Sequence, residues 1–173
     1  ALADQVAVAN ECLILRGEVE DRETLDYLRD AVGFLTFLLD HGGIAIYDPF
    51  MIHWWNPDEW RKRVFAPAAA VPRSHVVILL SPESQADETW YHTRGMRKFG
   101  RPDLSIHNVP AEYDKAIIDL CERFIELQAF GGIIEEGQQI KMKSLPDGMR
   151  CHRKGDLDDP DFNNVHVEIS WPK

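Results

Sequence analysis

The chain has 173 residues, enough for one domain with a substantial core. Its 45% hydrophobic and 28% charged content excludes wholesale disorder, and no apolar run approaches the length of a membrane span. Nineteen Lys and Arg against 29 Asp and Glu give a net charge of −10, which argues against nucleic acid and anionic membranes as partners, because both are held by clustered cations.

The first segment with a pattern is Glu11 to Val19 (ECLILRGEV), which reads as a strand. Asp21 is placed as an N-cap, with Glu23 in the first turn of a helix. Leu25, Leu28, Val32, Leu35 and Leu39 recur at helical spacing, and Phe34, Phe37 and Leu38 widen the stripe. The second half of this helix is therefore expected to be deeply buried. Gly42 and Gly43 end it, and Ile44 to Tyr47 reads as a short strand.

Asn56-Pro57-Asp58-Glu59 predicts a second helix, with Asn56 capping, Pro57 in the first position and Glu59 closing a capping box. Trp60, Val64 and Phe65 supply its apolar side, and Ala66 to Pro72 is a connector. Val76 to Leu80 is a continuous aliphatic run between prolines, the pattern of a strand buried on both faces. Thr89 to Arg94 and Asp103 to Asn108 read as two more strands around a turn-rich insert. A long helix follows from about Ala111 to Ala129, with Tyr113, Ile117, Leu120, Phe124 and Leu127 on its apolar stripe and Gly131-Gly132 after it. Strand patterns close the chain near Gln139 to Lys143, Met149 to Arg153 and Val165 to Trp171.

Strands grouped in hairpin-like clusters predict an α+β fold in a single domain spanning 1–173, a mostly antiparallel sheet with two long helices and one short helix packed on it. Cys12, Cys121 and Cys151 are odd in number and far apart, which points to reduced thiols and a cytoplasmic location, with Cys121 on the core stripe of the long helix. No signal-peptide apolar region stands at the start, and the first residue is Ala1 rather than Met, which is consistent with a preceding segment.

Three segments are candidates for chemistry. Between Tyr91 and Arg101 stand Arg94, Arg97, Lys98 and Arg101 with no acidic residue, a local reversal of the chain's charge. If Arg94 pairs with Asp103 across a hairpin, Trp90 faces His107 and His92 faces Ser105 on one side of the sheet. Two imidazoles beside an Arg-rich turn suit a phosphate or carboxylate, and His92, Arg94, Asp103 and His107 are the catalytic candidates. A solvated basic loop explains the same residues without a ligand, and no third ligand is placed for a metal.

Tyr47 to Trp60 holds three tryptophans and His53. Trp54 and Trp55 are adjacent and cannot both enter one face of an extended segment, so His53, Trp54 and Trp55 are candidates for a partner surface, alongside Arg97 and Arg101 for a ligand. The alternative is a lid on the core. In Asp156 to Asn164, Asp159, Asp161 and Asn163 occupy calcium-loop spacing, but Asn164 and Ser170 stand where the pattern needs Gly and Glu, so an acidic turn suffices. No Gly-x-Ser-x-Gly, His-Glu-x-x-His, P-loop or Gly-x-Gly-x-x-Gly is present, and Ser170 replaces the lysine a nuclease pattern on Asp161 and Glu168 would need.

Thr93-x-Gly95-Met96 followed by Phe99-Gly100-x-Pro102-Asp103-Leu104 resembles a segment of uncharacterised bacterial domain families of unknown function. The resemblance covers about a dozen residues. It implies a bacterial origin and an α+β fold, and it carries no substrate and no active-site residue. Two readings follow from the residues. One is a small cytoplasmic binding or interaction domain, with a protein partner or a second copy of itself on the tryptophan surface and no cofactor or metal. The other is a small-molecule enzyme using His92, Arg94 and His107, with a small anionic ligand.

Overall fold

A computed structural model describes residues 1–20, 24–84 and 87–172. Among these, four helices, α1 (Leu2–Ala7), α2 (Asp26–Asp40), α3 (Pro57–Trp60) and α4 (Asp114–Ala129), and seven strands make an α+β fold. A two-stranded antiparallel hairpin joins β1 (Ile46–Asp48) to β2 (His53–Trp55). The main sheet has five strands in the order β3-β4-β5-β7-β6, from β3 (Val77–Pro82), β4 (Glu88–Arg94), β5 (Asp103–Pro110), β6 (Arg150–Lys154) and β7 (His166–Ser170).

The sheet is mixed rather than simply antiparallel. β3, β4 and β5 form an antiparallel meander and β6 pairs antiparallel with β7, but β7 enters beside β5 in parallel. That pairing joins the two hairpin-like groups into one sheet, and local patterning gives no hint of it. The long helices α2 and α4 fall within the two segments expected to be helical, both starting later than expected, and two short helices accompany them rather than one.

On one sheet face, α4 lays Ile117, Leu120, Cys121 and Phe124 against Tyr91, Leu104, Ile106, Val167 and Ile169. The helical period of the first set and the alternation of the second meet in one core. Leu28 of α2 joins Val76, Met96, Phe99 and Ile125 in a second cluster, and Val32 and Leu39 close on Trp55, Trp60 and Val64 in a third. In that third cluster the Trp60 indole N–H donates to Thr36 Oγ1 at 2.8 Å, and Thr36 donates to the Val32 carbonyl at 2.7 Å, so both buried polar groups are satisfied.

Several local expectations change in this context. Residues 8–20 form no strand: no other described segment pairs with them, and Leu13, Ile14 and Val19 are exposed. The proposed cap at Asp21 and Glu23 lies outside the described residues, and α2 begins at Asp26, whose carboxylate accepts from Thr24 Oγ1 at 2.8 Å. Phe34 (46% exposed) and Phe37 (53%) face away from the core, because α2 is covered on the side of Leu28, Val32 and Leu39 only. Asn56 caps α3 by accepting from the Glu59 N–H at 2.9 Å, but the Glu59 carboxylate pairs with Arg63 at 2.9 Å instead of closing a box. Phe65 and Leu127 are exposed.

β3 is an edge strand with Leu80 exposed, not a strand buried on both faces. Near Gln139 to Lys143 only a single bridge, Gln139 to Arg150, replaces the expected strand. Among the described residues no helix is long and apolar enough to cross a membrane.

Candidate functional site

β4 and β5 bring the sequence candidates together on the sheet face opposite α4. His92 pairs across with Ser105, the register drawn from the sequence, while a bulge between Thr89 and Tyr91 shifts Trp90 out of direct opposition to His107. The Trp90 ring is nevertheless held between the two imidazoles. His92 stacks at 3.9 Å between centroids and 22°, and His107 at 4.8 Å and 9°. The Trp90 N–H donates to Ser105 Oγ at 3.0 Å, which fixes the indole.

Phe162, from the loop between β6 and β7, lies edge-on to Trp90 and His92 and stacks on His166 at 4.2 Å. His107 Nδ1 meets Glu83 Oε1 at 2.6 Å. That carboxylate orients the ring and leaves Nε2 for another partner. Phe162, Glu83 and His166 were not visible as site residues in the sequence, since they come from a loop, the residue after β3 and a strand far along the chain.

His92 is 6% exposed, and its Nδ1 is buried with no hydrogen-bond partner among the described residues. Burial, then the nearby Arg94 and His107, hold its pKa down at about 4 against the opposing pull of Asp161, so the ring is neutral at neutral pH. The Arg94 guanidinium makes no hydrogen bond or ion pair with a described residue.

The remaining candidates have other employment. Asp103 is buried and bonded on both oxygens, to Thr93 Oγ1 (2.9 Å), the Met96 N–H (3.2 Å) and Asn164 Nδ2 (2.8 Å), so it knits the fold and does not face a ligand. Arg97 donates to the carbonyls of Asn163 (2.6 Å) and Leu157 (3.1 Å) and lies over the Phe50 ring, fastening the β6–β7 loop. Arg101 lines a separate cleft at the end of the sheet. Trp55 is 2% exposed and belongs to the core, with the His53 ring edge-on at 4.4 Å. Trp54 is 47% exposed and pairs with Tyr47 at 4.8 Å on the outer side of the β1–β2 hairpin.

Asp159 Oδ1 accepts from the N–H groups of Asp161 (2.9 Å) and Phe162 (3.2 Å), the geometry of an acidic turn. Among the described residues no three His, Cys, Asp or Glu groups converge as a metal site would require.

The buried imidazoles set the pH response of stability. His75, buried at the end of its 3₁₀ turn (Pro72–His75), is likewise held at about 4, by burial first and then by Lys98. The unfolded chain protonates these rings near 6.5, so the stability they contribute is whole above that pH and is lost as pH falls toward 4. Asp103 opposes this. Burial raises its pKa to about 6, so its ionisation penalty fades as pH drops below 6. Two imidazoles outweigh one carboxyl, and stability should fall by on the order of 3 kcal/mol between pH 7 and 4.5. Urea unfolding across that range checks it; a flat profile, or an equal fall in a His75→Gln, His92→Gln double variant, would sink the assignment.

No protein-family model matches the chain, and no curated protein and no solved structure matches it. Its function is therefore read from its own residues.

Proposed function

We propose that the chain binds a small anionic molecule on the sheet face opposite α4, with Arg94 as the charge partner and His92 as a neutral hydrogen-bonding group. The observation that carries this is the buried, unpartnered Nδ1 of His92 on the same face of β4 as the Arg94 guanidinium, whose charge also acts on Asp103. A buried nitrogen without a partner costs about 1–3 kcal/mol, which a ligand hydrogen bond would recover. The Trp90 ring, held by Ser105 and flanked by both imidazoles, supplies a rigid backing for the site.

A second reading, catalysis at the same face, is favoured by the Glu83–His107 pair. A carboxylate on Nδ1 orients an imidazole for proton transfer at Nε2, whereas His92, held near 4, is a poor base at neutral pH. The partner-binding reading rests on Trp54 with Tyr47, because Trp55 belongs to the core.

A thermal-shift screen of carboxylates, phosphates and nucleotides tests the proposal, with Arg94→Gln and His92→Ala beside the parent. A ligand at 100 times its Kd should add about 2.7 kcal/mol to the parent. Arg94→Gln should abolish that gain and His92→Ala should reduce it. A gain of equal size in both variants, or none in the parent, would overturn the reading. Product formation lost in His107→Ala, with binding retained, would identify the chain as an enzyme.

A further inference from the structure

The two edges of the five-stranded sheet differ in how they are finished. At the β6 edge the preceding segment folds back along the strand. The Gly137 N–H donates to the Cys151 carbonyl at 2.8 Å, the Cys151 N–H to the Gln138 carbonyl at 3.0 Å, and the Arg153 N–H to the Glu136 carboxylate at 2.8 Å. Arg150, Arg153 and Lys154 add charge to that strand. Cover and charge are the usual defences of a sheet edge against another chain. β3, at the opposite edge, has neither. Its sequence, Val-Ile-Leu-Leu-Ser-Pro, carries no charged residue, and no described segment pairs with its outer side.

The β3–β4 ladder shows what this edge offers. The Glu83 N–H donates to the Glu88 carbonyl, directly opposite and one step beyond the Pro82–Thr89 pair. In an antiparallel ladder, residues that bond to the neighbour alternate with residues whose backbone groups point away. Counting back from Glu83, Ser81, Leu79 and Val77 bond to β4, and the N–H and C=O groups of Leu80 and Ile78 point outward. No described residue bonds to those four groups.

The chain also holds an unpaired strand. Glu11 to Val19 includes the apolar run Cys12-Leu13-Ile14-Leu15, in which Leu13 is 69% and Ile14 82% exposed. Every residue from 7 to 20 is exposed, so the segment lies off the edge of its own chain.

We propose that two copies of the chain dimerise by exchange, each laying residues 11–19 along the β3 edge of the other as a sixth strand. The added strand supplies donors and acceptors to Leu80 and Ile78. Alternate residues of its apolar run fall beside Leu80 on the α4 side of the sheet, where Tyr91 and Ile78 pack, and beside Leu79 on the other. A second copy is the occupant because strand and edge belong to one chain yet stay apart in it. Exchange about a two-fold axis completes both in both copies and closes the assembly, whereas a foreign strand on β3 would leave residues 11–19 bare. This interface is separate from the anion site proposed at Arg94 and stands or falls independently of it.

Sedimentation equilibrium on the full chain from about 1 to 100 μM tests it, with hydrogen exchange measured at both ends of that range. The parent should form a dimer, and the amides of residues 11–19 and of Leu80 should be protected at the high concentration only. In the double variant Leu13→Pro, Ile14→Pro, adjacent prolines remove one N–H from each edge of the segment, so a bond to β3 is lost whatever the register. It should associate about a hundredfold more weakly, with the melting of the monomer unchanged. Leu80→Pro deletes an outward N–H that β4 does not use, and it should weaken the dimer similarly.

A parent still monomeric at about 100 μM would overturn the proposal. So would unchanged affinity in the double variant, or protection of residues 11–19 independent of concentration, which would place the segment on its own chain. If Leu80→Pro does not fold, the double variant decides alone, because Leu13 and Ile14 are exposed in the single chain.

Discussion

Replacing Gly95 by alanine should lower the melting temperature by roughly 8–16 °C, corresponding to a loss of about 4 kcal/mol or more. Gly95 sits at φ +122°, a conformation that L side chains rarely adopt. A Cβ there would run into the His75 carbonyl oxygen and come within 3.1 Å of Val76 Cα, both backbone. Neither atom belongs to a flexible side chain, so relief requires moving the start of β3 away from β4. That movement would also disturb Met96, fully buried at the head of the 3₁₀ turn Met96–Phe99. Gly100 is the control. It closes the same turn at φ +66°, with nothing within 4 Å of where a methyl group would stand, and Gly100→Ala should cost only about 1 kcal/mol. Thermal unfolding of the two variants side by side checks this; equal shifts would show that backbone conformation alone, not the His75 contact, sets the cost.

Asp103→Ala should cost about 4 kcal/mol or more, and the cost should grow on acidification. The carboxylate accepts from a hydroxyl, a backbone N–H and an amide, each contributed by a different segment: the end of β4, the following turn and the loop before β7. Alanine would strand these buried donors together. Thr93 Oγ1 also accepts from the Leu104 N–H at 2.9 Å, and Asn164 donates to the Arg101 carbonyl at 2.9 Å, so the loss reaches both flanks. Burial raises the Asp103 pKa to about 6, and the parent therefore carries an ionisation penalty at pH 7 that is partly relieved at pH 5. The difference between parent and variant should widen by roughly 1 kcal/mol over that interval. Denaturant titrations at the two pH values measure it. A variant within about 1 kcal/mol of the parent at pH 7 would show that water or neighbouring groups replace the carboxylate.

The parts of this fold legible in sequence are those whose determinants are local. Leu28, Val32 and Leu39, and Ile117, Leu120 and Phe124, mark core faces because one turn of helix repeats within four residues. The β4–β5 register was recoverable because a short connection leaves few alternatives, and it delivered the His92–Ser105 pair. What failed depended on partners elsewhere. Glu11 to Val19 has the composition of a strand but no described neighbour to complete its hydrogen bonds, and Phe34 and Phe37 lie on a helix flank that stays about half exposed. The cleft that Arg101 lines was hidden for the same reason. Arg101, Gln128, Arg153 and Lys154 occupy separate segments, and their convergence follows from the parallel β5–β7 pairing rather than from any spacing in the chain.

That pairing also dictates an order of assembly. β7 sits inside the sheet, between β5 and β6, yet follows every other strand in the chain. During synthesis β3, β4 and β5 can form their meander while the far edge of β5 stays open, and β6 has only the short bridge at Gln139 beside it until residues 166–170 emerge. Closing the long loop between β5 and β7 is an entropic cost that the meander does not meet. Folding should therefore be slow in its last step, with β5 presenting an unpaired edge to other nascent chains until β7 arrives.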